Sequence, residues 1–360
     1  MVRVEHQFVV EVLRRHSGVV LGCVHVPMDW VPAQETLALE MLRRGIGGSA
    51  AEMVGIEPEW EAPGRPRIRG FSATLLAAGE PAVSRRFPLS YFADQARIAA
   101  EHFVETGALK AGDLFEYSVL AVPQERTPVA ARRFVVENSE AAVPVKAADL
   151  KTMMGSALAL GTSDGEEMPA FVQWRVLEQI SALTRRAGAM ETGGVLVGHV
   201  CRDEGKVFVE ITAQVPTPAQ GELTRLAFTP AVWSSVRAAT NARGAGEIWC
   251  GWWHSHSWWH APIAQQQQAI DETTRVANAA AQPFFSEDDR QVHRTVFPRA
   301  YSVALLVTDS PHGGMSWSAF GWQLGRIVAR GFHAVGVPLS EFVLPTGVDH
   351  AENGQYVCAH

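Results

Sequence analysis

Two histidines, two carboxylates and one serine are the side chains of this 360-residue chain whose types and spacing could do chemistry together. One residue separates His254 from His256, and Asp289 follows Ser286 after two residues. Two imidazoles and one carboxylate can hold a zinc ion and leave its fourth position open for water. Glu191 is a second carboxylate that could remove a proton from that water. The set predicts metal-assisted hydrolysis.

The histidine pair ends an apolar and aromatic run that begins at Glu247 and predicts a buried strand. Side chains at positions i and i+2 of a strand point to the same face, so His254 and His256 could both reach one metal ion. Two ordinary histidines that form hydrogen bonds at the end of a strand have the same spacing. The spacing by itself therefore leaves both interpretations open.

Ser286 and Asp289 have the spacing of a helix cap, in which the hydroxyl accepts one backbone N–H and the carboxylate reaches back to another. Taken alone, the pattern favours this capping interpretation. A helix start is also a rigid place to mount a ligand. Asp289 could therefore bind metal while Ser286 offers its hydroxyl to an oxyanion. The adjacent Asp288 is expected to face a different direction on the helix.

Glu191 stands at the mouth of a strand-like apolar run with two glycines at its start, ETGGVLVG. Glycines at such a position let another backbone or a ligand approach closely. A single glutamate before a strand is usually a solvated surface residue. A functional role for Glu191 therefore depends on the other four residues.

In this order, the five residues resemble the pattern of the JAMM (MPN+, JAB-domain) zinc metalloproteases, which is Glu, then His-x-His, then Ser-x-x-Asp. The flanking runs are METGGVLVGHV, GWWHSH and FFSEDDRQVHRTVFPRAYSVALLVTD. They resemble the bacterial branch of the family, deubiquitinase-like proteins encoded beside ubiquitin-like conjugation genes. The resemblance covers about half the chain, roughly residues 166 to 335.

The resemblance implies a role for each of the five residues. His254, His256 and Asp289 would bind one catalytic Zn²⁺ together with a water molecule. Glu191 would act as general base and then as general acid, and Ser286 would help to stabilise the oxyanion. The implied activity is removal of a ubiquitin-like modifier from a lysine, or trimming of the C-terminus of its precursor.

The resemblance also implies partners: a ubiquitin-like protein as substrate, and the E1-like and E2-like proteins of the same bacterial conjugation system, with a role in antiviral defence. The alternative is a non-catalytic MPN-like scaffold that binds a ubiquitin-like protein or another partner. Such relatives usually lose ligands, whereas all five positions are present in this chain. This favours an enzyme.

One departure from the family pattern follows the second histidine. Ser257 stands where the family usually has proline, and residues 257–282 intervene before the serine motif. We interpret this stretch as an insertion over the active site, with Trp258 and Trp259 as candidate walls of a channel for an extended substrate tail. A tolerated surface loop is the alternative.

Composition narrows the classes of function. The formal net charge of −7 without a basic block argues against a nucleic-acid surface and against a RadC-type protein acting near DNA. The four cysteines lack a C-x-x-C pair, which disfavours a zinc deaminase and predicts reduced thiols in a cytoplasmic protein. The N-terminal residues carry no apolar signal core, and no apolar stretch is long enough to cross a bilayer.

The pattern of apolar residues predicts an α/β protein with a mixed sheet flanked by helices, and the resemblance implies that this part is JAB/MPN-like. A separate α+β domain, 1–145, is expected to hold a substrate or partner, or to serve as a packing scaffold. Residues 146–167, rich in Ala, Ser, Gly and charge, are predicted to form a linker. The domain that the resemblance implies to be a metalloprotease is expected to span 168–338, to begin with a helix from Pro169 to Arg186, and to precede a C-terminal tail, 339–360.

Overall fold

The computed structural model describes residues 5–46, 52–64, 66–77, 80–124, 143–163, 165, 167–188, 190–217, 229–256, 285–309, 314–338 and 358–359. These residues form a mixed α and β architecture with two large sheets and several helices, which agrees with the predicted class. They divide into two compact units, Met1–Ala142 with Leu324–Arg326, and Val143–Gln323 with Ile327–His360. None of the described helices is long and apolar enough to cross a membrane.

The first unit is an antiparallel sheet with two helices packed against it. Its strands are β1 (Glu5–Arg14), β2 (Val20–Val24), β3 (Glu52–Trp60), β4 (Arg67–Ala77), β5 (Glu80–Pro88) and β6 (Phe115–Gln124). Its helices are α1 (Val31–Arg44) and α2 (Ala93–Glu105), which follows a short 3-10 turn, Leu89–Phe92. The strand order is β2-β1-β6-β4-β3, with β5 paired to β4. Phe8, Val10 and Val12 alternate into the core, as a strand with one buried face requires.

The second unit is built on one mixed sheet of eleven described strands. These are β7 (Val145–Ala147), β8 (Ala157–Leu160), β9 (Ala170–Gln173), β10 (Gly193–Asp203), β11 (Lys206–Pro216), β12 (Ile248–His256), β13 (Val303–Asp309), β14 (Gly314–Gln323), β15 (Arg326–Arg330), β16 (Phe332–Val335) and β17 (Cys358–Ala359). The helices are α3 (Leu150–Gly155), α4 (Trp174–Ala187), α5 (Pro230–Arg243) and α6 (Glu287–Val296). The strand order is β15-β14-β13-β12-β10-β11-β9-β16-β8, with β17 on β14 and β7 on β10.

The start of the predicted helix from Pro169 to Arg186 is wrong. Residues Ala170–Gln173 form strand β9, and helix α4 begins only at Trp174. Strand β9 lies between β11 and β16, and Ala170, Phe171 and Val172 are fully buried. A short apolar run fits a buried strand as well as a helix, so hydrophobic spacing could not separate the two.

Residues 146–167, where composition predicts a linker, contain short regular elements in the described structure. Strand β7 pairs with β10, and strand β8 pairs with β16. Helix α3 between them is capped by Asp149, whose carboxylate accepts the Thr152 N–H at 2.9 Å. Elements of only three to six residues are too short to show a hydrophobic period, which explains why the sequence did not reveal them.

The strand predicted to carry the histidines is β12, inside the sheet. It runs antiparallel to β10 and parallel to β13. Gly251 has φ +147°, and a Cβ added to it would lie 1.8 Å from the Val303 carbonyl oxygen. A glycine at this position therefore permits the close pairing of β12 with β13. This pairing fixes the strand whose far end bears His254 and His256.

Candidate metal centre

Strand β12 brings the two imidazoles together at its C-terminal end. The Nε2 atoms of His254 and His256 lie 3.0 Å apart, and their ring centroids are 4.8 Å apart. His254 is buried, with 2% of its surface exposed, and His256 is half-buried. The two side chains therefore lie on one face of the strand, as the i, i+2 spacing predicts.

Helix α6 brings a carboxylate to the same place. Asp289 Oδ1 lies 3.2 Å from His254 Nε2, and Asp289 Oδ2 lies 3.8 Å from His256 Nε2. One candidate ligand atom from each of the three residues falls within 4.8 Å of the others. The fold thus places residues that are distant in sequence around one point.

The two separations from His254 Nε2 fit a tetrahedral metal ion. Four ligands about 2.0 Å from a zinc ion lie about 3.3 Å from one another. His254 Nε2 lies 3.0 Å from His256 Nε2 and 3.2 Å from Asp289 Oδ1, whereas the 3.8 Å contact of His256 is with the other carboxylate oxygen, Oδ2. Two neutral imidazoles and a carboxylate are also the chemical donors that zinc takes in catalytic sites. These residues could hold the ion that the sequence predicts and leave one position for water.

Asp289 is held by a capping box at the start of α6. The Ser286 N–H donates to Asp289 Oδ2 at 2.8 Å, and the Asp289 N–H donates to Ser286 Oγ at 3.1 Å. Because the cap occupies Oδ2, Oδ1 is the oxygen directed at His254. Asp289 is thus both a helix cap and a candidate ligand, and the two interpretations of the motif are compatible in one side chain.

The electrostatics of the site keep Asp289 ionised. Burial raises the pKa of this carboxyl, but hydrogen bonding to His254 and then to Ser286 outweighs the burial, so the pKa of Asp289 falls to about 2. The neighbouring Asp288 is exposed, as its predicted direction on the helix requires. Asp289 is therefore the acidic residue of this turn that faces the histidines.

Ser286 uses its hydroxyl inside the cap. Its single hydroxyl proton donates to Asp289 Oδ2 at 2.7 Å, while its oxygen accepts the Asp289 N–H. A serine has one O–H donor, so the same proton cannot simultaneously stabilise an oxyanion. In this geometry Ser286 orients Asp289, and its predicted role toward an oxyanion would require the hydroxyl to turn.

Glu191 lies just before β10, where that strand meets the end of β12. Gly193 pairs with His254, the Ser255 N–H donates to the Thr192 carbonyl oxygen at 2.8 Å, and the Thr192 N–H donates to Ser255 Oγ at 3.0 Å. Continuing this register places Glu191 level with His256. Its carboxylate is not one of the three clustered ligand groups. Glu191 thus lies next to the end of the strand that carries the histidines.

Ser255 and His293 are residues of the site whose roles the sequence pattern did not assign. Ser255, which is 2% exposed, accepts the Thr192 N–H with its hydroxyl oxygen and so joins the segment before β10 to strand β12. His293 is fully buried, and its Nδ1 accepts a hydrogen bond from the Trp252 indole. The position of His293 four residues after Asp289 was the available signal, because i and i+4 share one helix face.

Trp258 and Trp259, the predicted substrate walls, lie outside the described residues, as does the whole insertion, 257–282. Their placement near the metal ligands stays a prediction. The described part of the site consists of the end of β12, the start of α6 and the segment before β10.

In comparisons with known proteins, no family model matches this chain, and no curated protein matches it. Among solved structures, it is similar to protein DSY2949 from Desulfitobacterium hafniense, known from a solution structure. The sequence identity is 16%, the match covers 45% of this chain and 89% of that chain, and the TM-score is 0.30. A likeness at this level carries no argument about function.

Proposed function

We propose that this chain is a zinc-dependent isopeptidase or peptidase of the JAMM type, which cleaves the amide at the C-terminus of a ubiquitin-like protein. The observation that carries the proposal is the convergence of His254, His256 and Asp289 on one point with separations suited to a tetrahedral ion. The sequence resemblance supplies the substrate class.

The ligand residues divide between two elements that the fold holds rigidly. His254 and His256 come from a strand inside the sheet, and Asp289 comes from a capped helix start. Bound zinc would supply a polarised water of lowered pKa and a positive charge for the developing oxyanion. Three protein ligands that leave a fourth position for water would be the arrangement of a catalytic rather than a structural zinc site.

Glu191 is the residue proposed to move protons. A general base must come within hydrogen-bond reach of the attacking water and later return the proton to the leaving amine. The Thr192–Ser255 hydrogen bonds hold the segment that carries Glu191 against the end of β12. The strand register, continued by two residues from the Gly193–His254 pair, puts Glu191 opposite His256. This supports the proposal that its carboxylate can reach a water bound at the candidate metal centre.

Ser286 is proposed to have two successive roles: its hydroxyl first orients Asp289 and then donates to the oxyanion of the substrate. Its hydroxyl keeps Oδ2 of Asp289 occupied, which leaves Oδ1 for the metal. Stabilisation of an oxyanion would need the hydroxyl proton to leave Asp289. The backbone Ser286 N–H would meanwhile keep Oδ2 capped. A serine at this position can therefore serve both tasks in turn.

The test measures zinc content and hydrolysis together in the full chain, with the aminocoumarin amide of ubiquitin as probe. We expect one zinc per chain, hydrolysis that a chelator abolishes, and recovery when zinc is returned. His256→Ala should lose zinc and hydrolysis, whereas His199→Ala, a matched change on β10, should keep both. Zinc binding without hydrolysis would favour a scaffold, and an active His256→Ala variant would contradict the proposed site.

A further inference from the structure

The imidazole of His254 is not held in the way that ligand imidazoles usually are. A histidine that binds metal through Nε2 normally donates its Nδ1–H to a carboxylate or carbonyl, which fixes the ring. The Nδ1 atom of His254 is buried and has no hydrogen-bond partner among the described residues. A buried donor without a partner costs about 1–3 kcal/mol. Another contact must therefore orient the ring of His254.

That contact is the indole of Trp252. The two rings are stacked with centroids 4.7 Å apart and an interplanar angle of 8°. Trp252 is 1% exposed and belongs to the core cluster under the site. A large flat ring fixed in the core can set the plane of the imidazole on it by packing alone. The orientation of His254 then depends on what fixes Trp252.

Trp252 is fixed by a hydrogen bond across two elements. Its Nε1–H donates to His293 Nδ1 at 3.1 Å. An indole nitrogen is only a donor, so His293 must be neutral with Nδ1 free to accept. His293 is completely buried on α6, one turn after Asp289. One hydrogen bond therefore joins the strand that bears His254 to the helix that bears Asp289.

We propose that Trp252 and His293 are positioning residues of the metal centre: they set the plane of the His254 ring and its distance from Asp289. The proposal rests on the zinc site proposed above. In this chain, aromatic stacking backed by an indole–imidazole hydrogen bond replaces the usual hydrogen bond to Nδ1 of the ligand. Loosening the Trp252–His293 bond should weaken metal binding without removing a ligand.

Two substitutions at His293 distinguish its role as hydrogen-bond acceptor for Trp252 from its role in filling the core. His293→Phe keeps the ring volume but removes the acceptor, and His293→Asn places an amide oxygen near the position of Nδ1 but leaves a cavity. We expect His293→Phe to raise the zinc Kd about 10- to 100-fold, as loss of a partner behind a ligand does. His293→Asn should stay within about threefold of the wild-type Kd despite a lower Tm, because it retains the acceptor. A role in packing alone predicts the reverse order.

The measurement is the zinc Kd of the full chain by competition with a chromophoric chelator, with the Tm of each metal-free variant as the folding check. His333→Phe, a change of a histidine stacked on Phe171 in the same unit, is the matched control and should leave the Kd unchanged. If His293→Phe does not fold, Trp252→Phe decides, since it keeps an aromatic face but loses the N–H donor.

The outcomes distinguish this proposal from the proposed function. An unchanged Kd in His293→Phe or Trp252→Phe, while His256→Ala loses zinc, would overturn the positioning role and leave the metal centre intact. A wild-type chain that binds no zinc would overturn both. The visible absorption of the cobalt-substituted protein gives a second readout, because a tilted His254 ring should change the band shape as well as the affinity.

Discussion

A carboxylate with a hydroxyl donor lies at each end of strand β12, and the two carboxylates differ in the charge of their other partners. At the N-terminal end, Glu247 is paired with Arg243, whose NH2 group donates at 2.8 Å and whose Nε donates to the other carboxylate oxygen. Thr212 donates its hydroxyl to the same side chain. At the C-terminal end, Asp289 meets only histidines among the described ion pairs.

The comparison separates a carboxylate that is neutralised within the fold from the carboxylate of the proposed metal centre. Hydrogen bonding from Arg243 lowers the pKa of Glu247, so this carboxylate has its counter-charge built into the fold. Asp289 makes its described ion-pair contacts with His254 and His256, and hydrogen bonding to His254 and Ser286 lowers the pKa of its carboxyl. A buried anion is stable when it is paired, and a metal ion would supply that pairing at the second cluster.

The largest expected effect separates two glutamates that flank this strand. Glu191→Gln should lower kcat about 100- to 10,000-fold with zinc content unchanged, because it removes the group that transfers protons. Glu247→Gln, the same chemical change, should lower the Tm and leave kcat and zinc unchanged. The test is to measure kcat for hydrolysis of the ubiquitin aminocoumarin amide, and the zinc content, of both variants. A Glu191→Gln variant that turns over normally would rule out the proposed mechanism.

The second effect concerns metal affinity at the two clusters. Structural zinc sites bind with about 10–16 kcal/mol over four ligands, so replacing one ligand by a weaker donor should cost at least about 100-fold in affinity. Asp289→Asn should therefore raise the zinc Kd by that factor or more while its cap largely persists. In Glu247→Gln the Kd should stay at the wild-type value. Equal zinc affinity in the two variants would remove the distinction between the clusters.

The candidate metal-binding residues could be picked out from the sequence because each lies at a regular local position. His254 and His256 are on one strand face by their i, i+2 spacing, and Asp289 is the third helical residue after a serine cap. Each is fixed by short-range geometry that the sequence pattern carries. Their convergence depended on strand pairing between distant segments, and only the resemblance to a family implied it.

No role could be assigned from the sequence to the residues that contact the candidate ligands from the core, because such roles depend on contacts between separate strands and helices. Trp252 belongs to an aromatic run that any buried strand could have, and nothing local indicates that its indole meets His293. Ser255 is a common residue between two histidines until the register with Thr192 is known. Strand β9 was predicted as a helix for the same reason: a four-residue buried strand is defined by its neighbours in the sheet.

A smaller effect is expected at Ser255, which joins the mouth of β10 to the histidine strand. Ser255→Ala removes the acceptor of the Thr192 N–H and loosens the segment that carries Glu191. We expect kcat to fall about 10-fold, since small displacements of a catalytic group reduce its effective concentration. The zinc Kd should stay within about threefold. Ser234→Ala on the exposed side of α5 is the control, and equal kcat values for the two variants would contradict this role.

The smallest effect is a difference in acid stability between the two clusters. Burial, reinforced by the positive charges of Arg294 and Arg330, lowers the pKa of His293 to about 3. An unfolded histidine titrates near 6.5, so between these values the unfolded chain binds a proton that the native chain does not. Stability should thus fall as the pH drops below 6.5, by about 1.4 kcal/mol per pH unit for this one group.

The Glu247 cluster should behave differently over the same range. Its lowered carboxyl pKa gives stability that is complete above the unfolded value and is lost only at more acidic pH. With a chelator present, the Tm of wild type should therefore drop more between pH 7 and pH 5 than that of His293→Asn, which has no proton to bind. Glu247→Gln should retain the full wild-type drop, because its missing carboxylate does not titrate in this window. Parallel curves for wild type and His293→Asn would show that the buried imidazole does not cause the loss of stability at acidic pH.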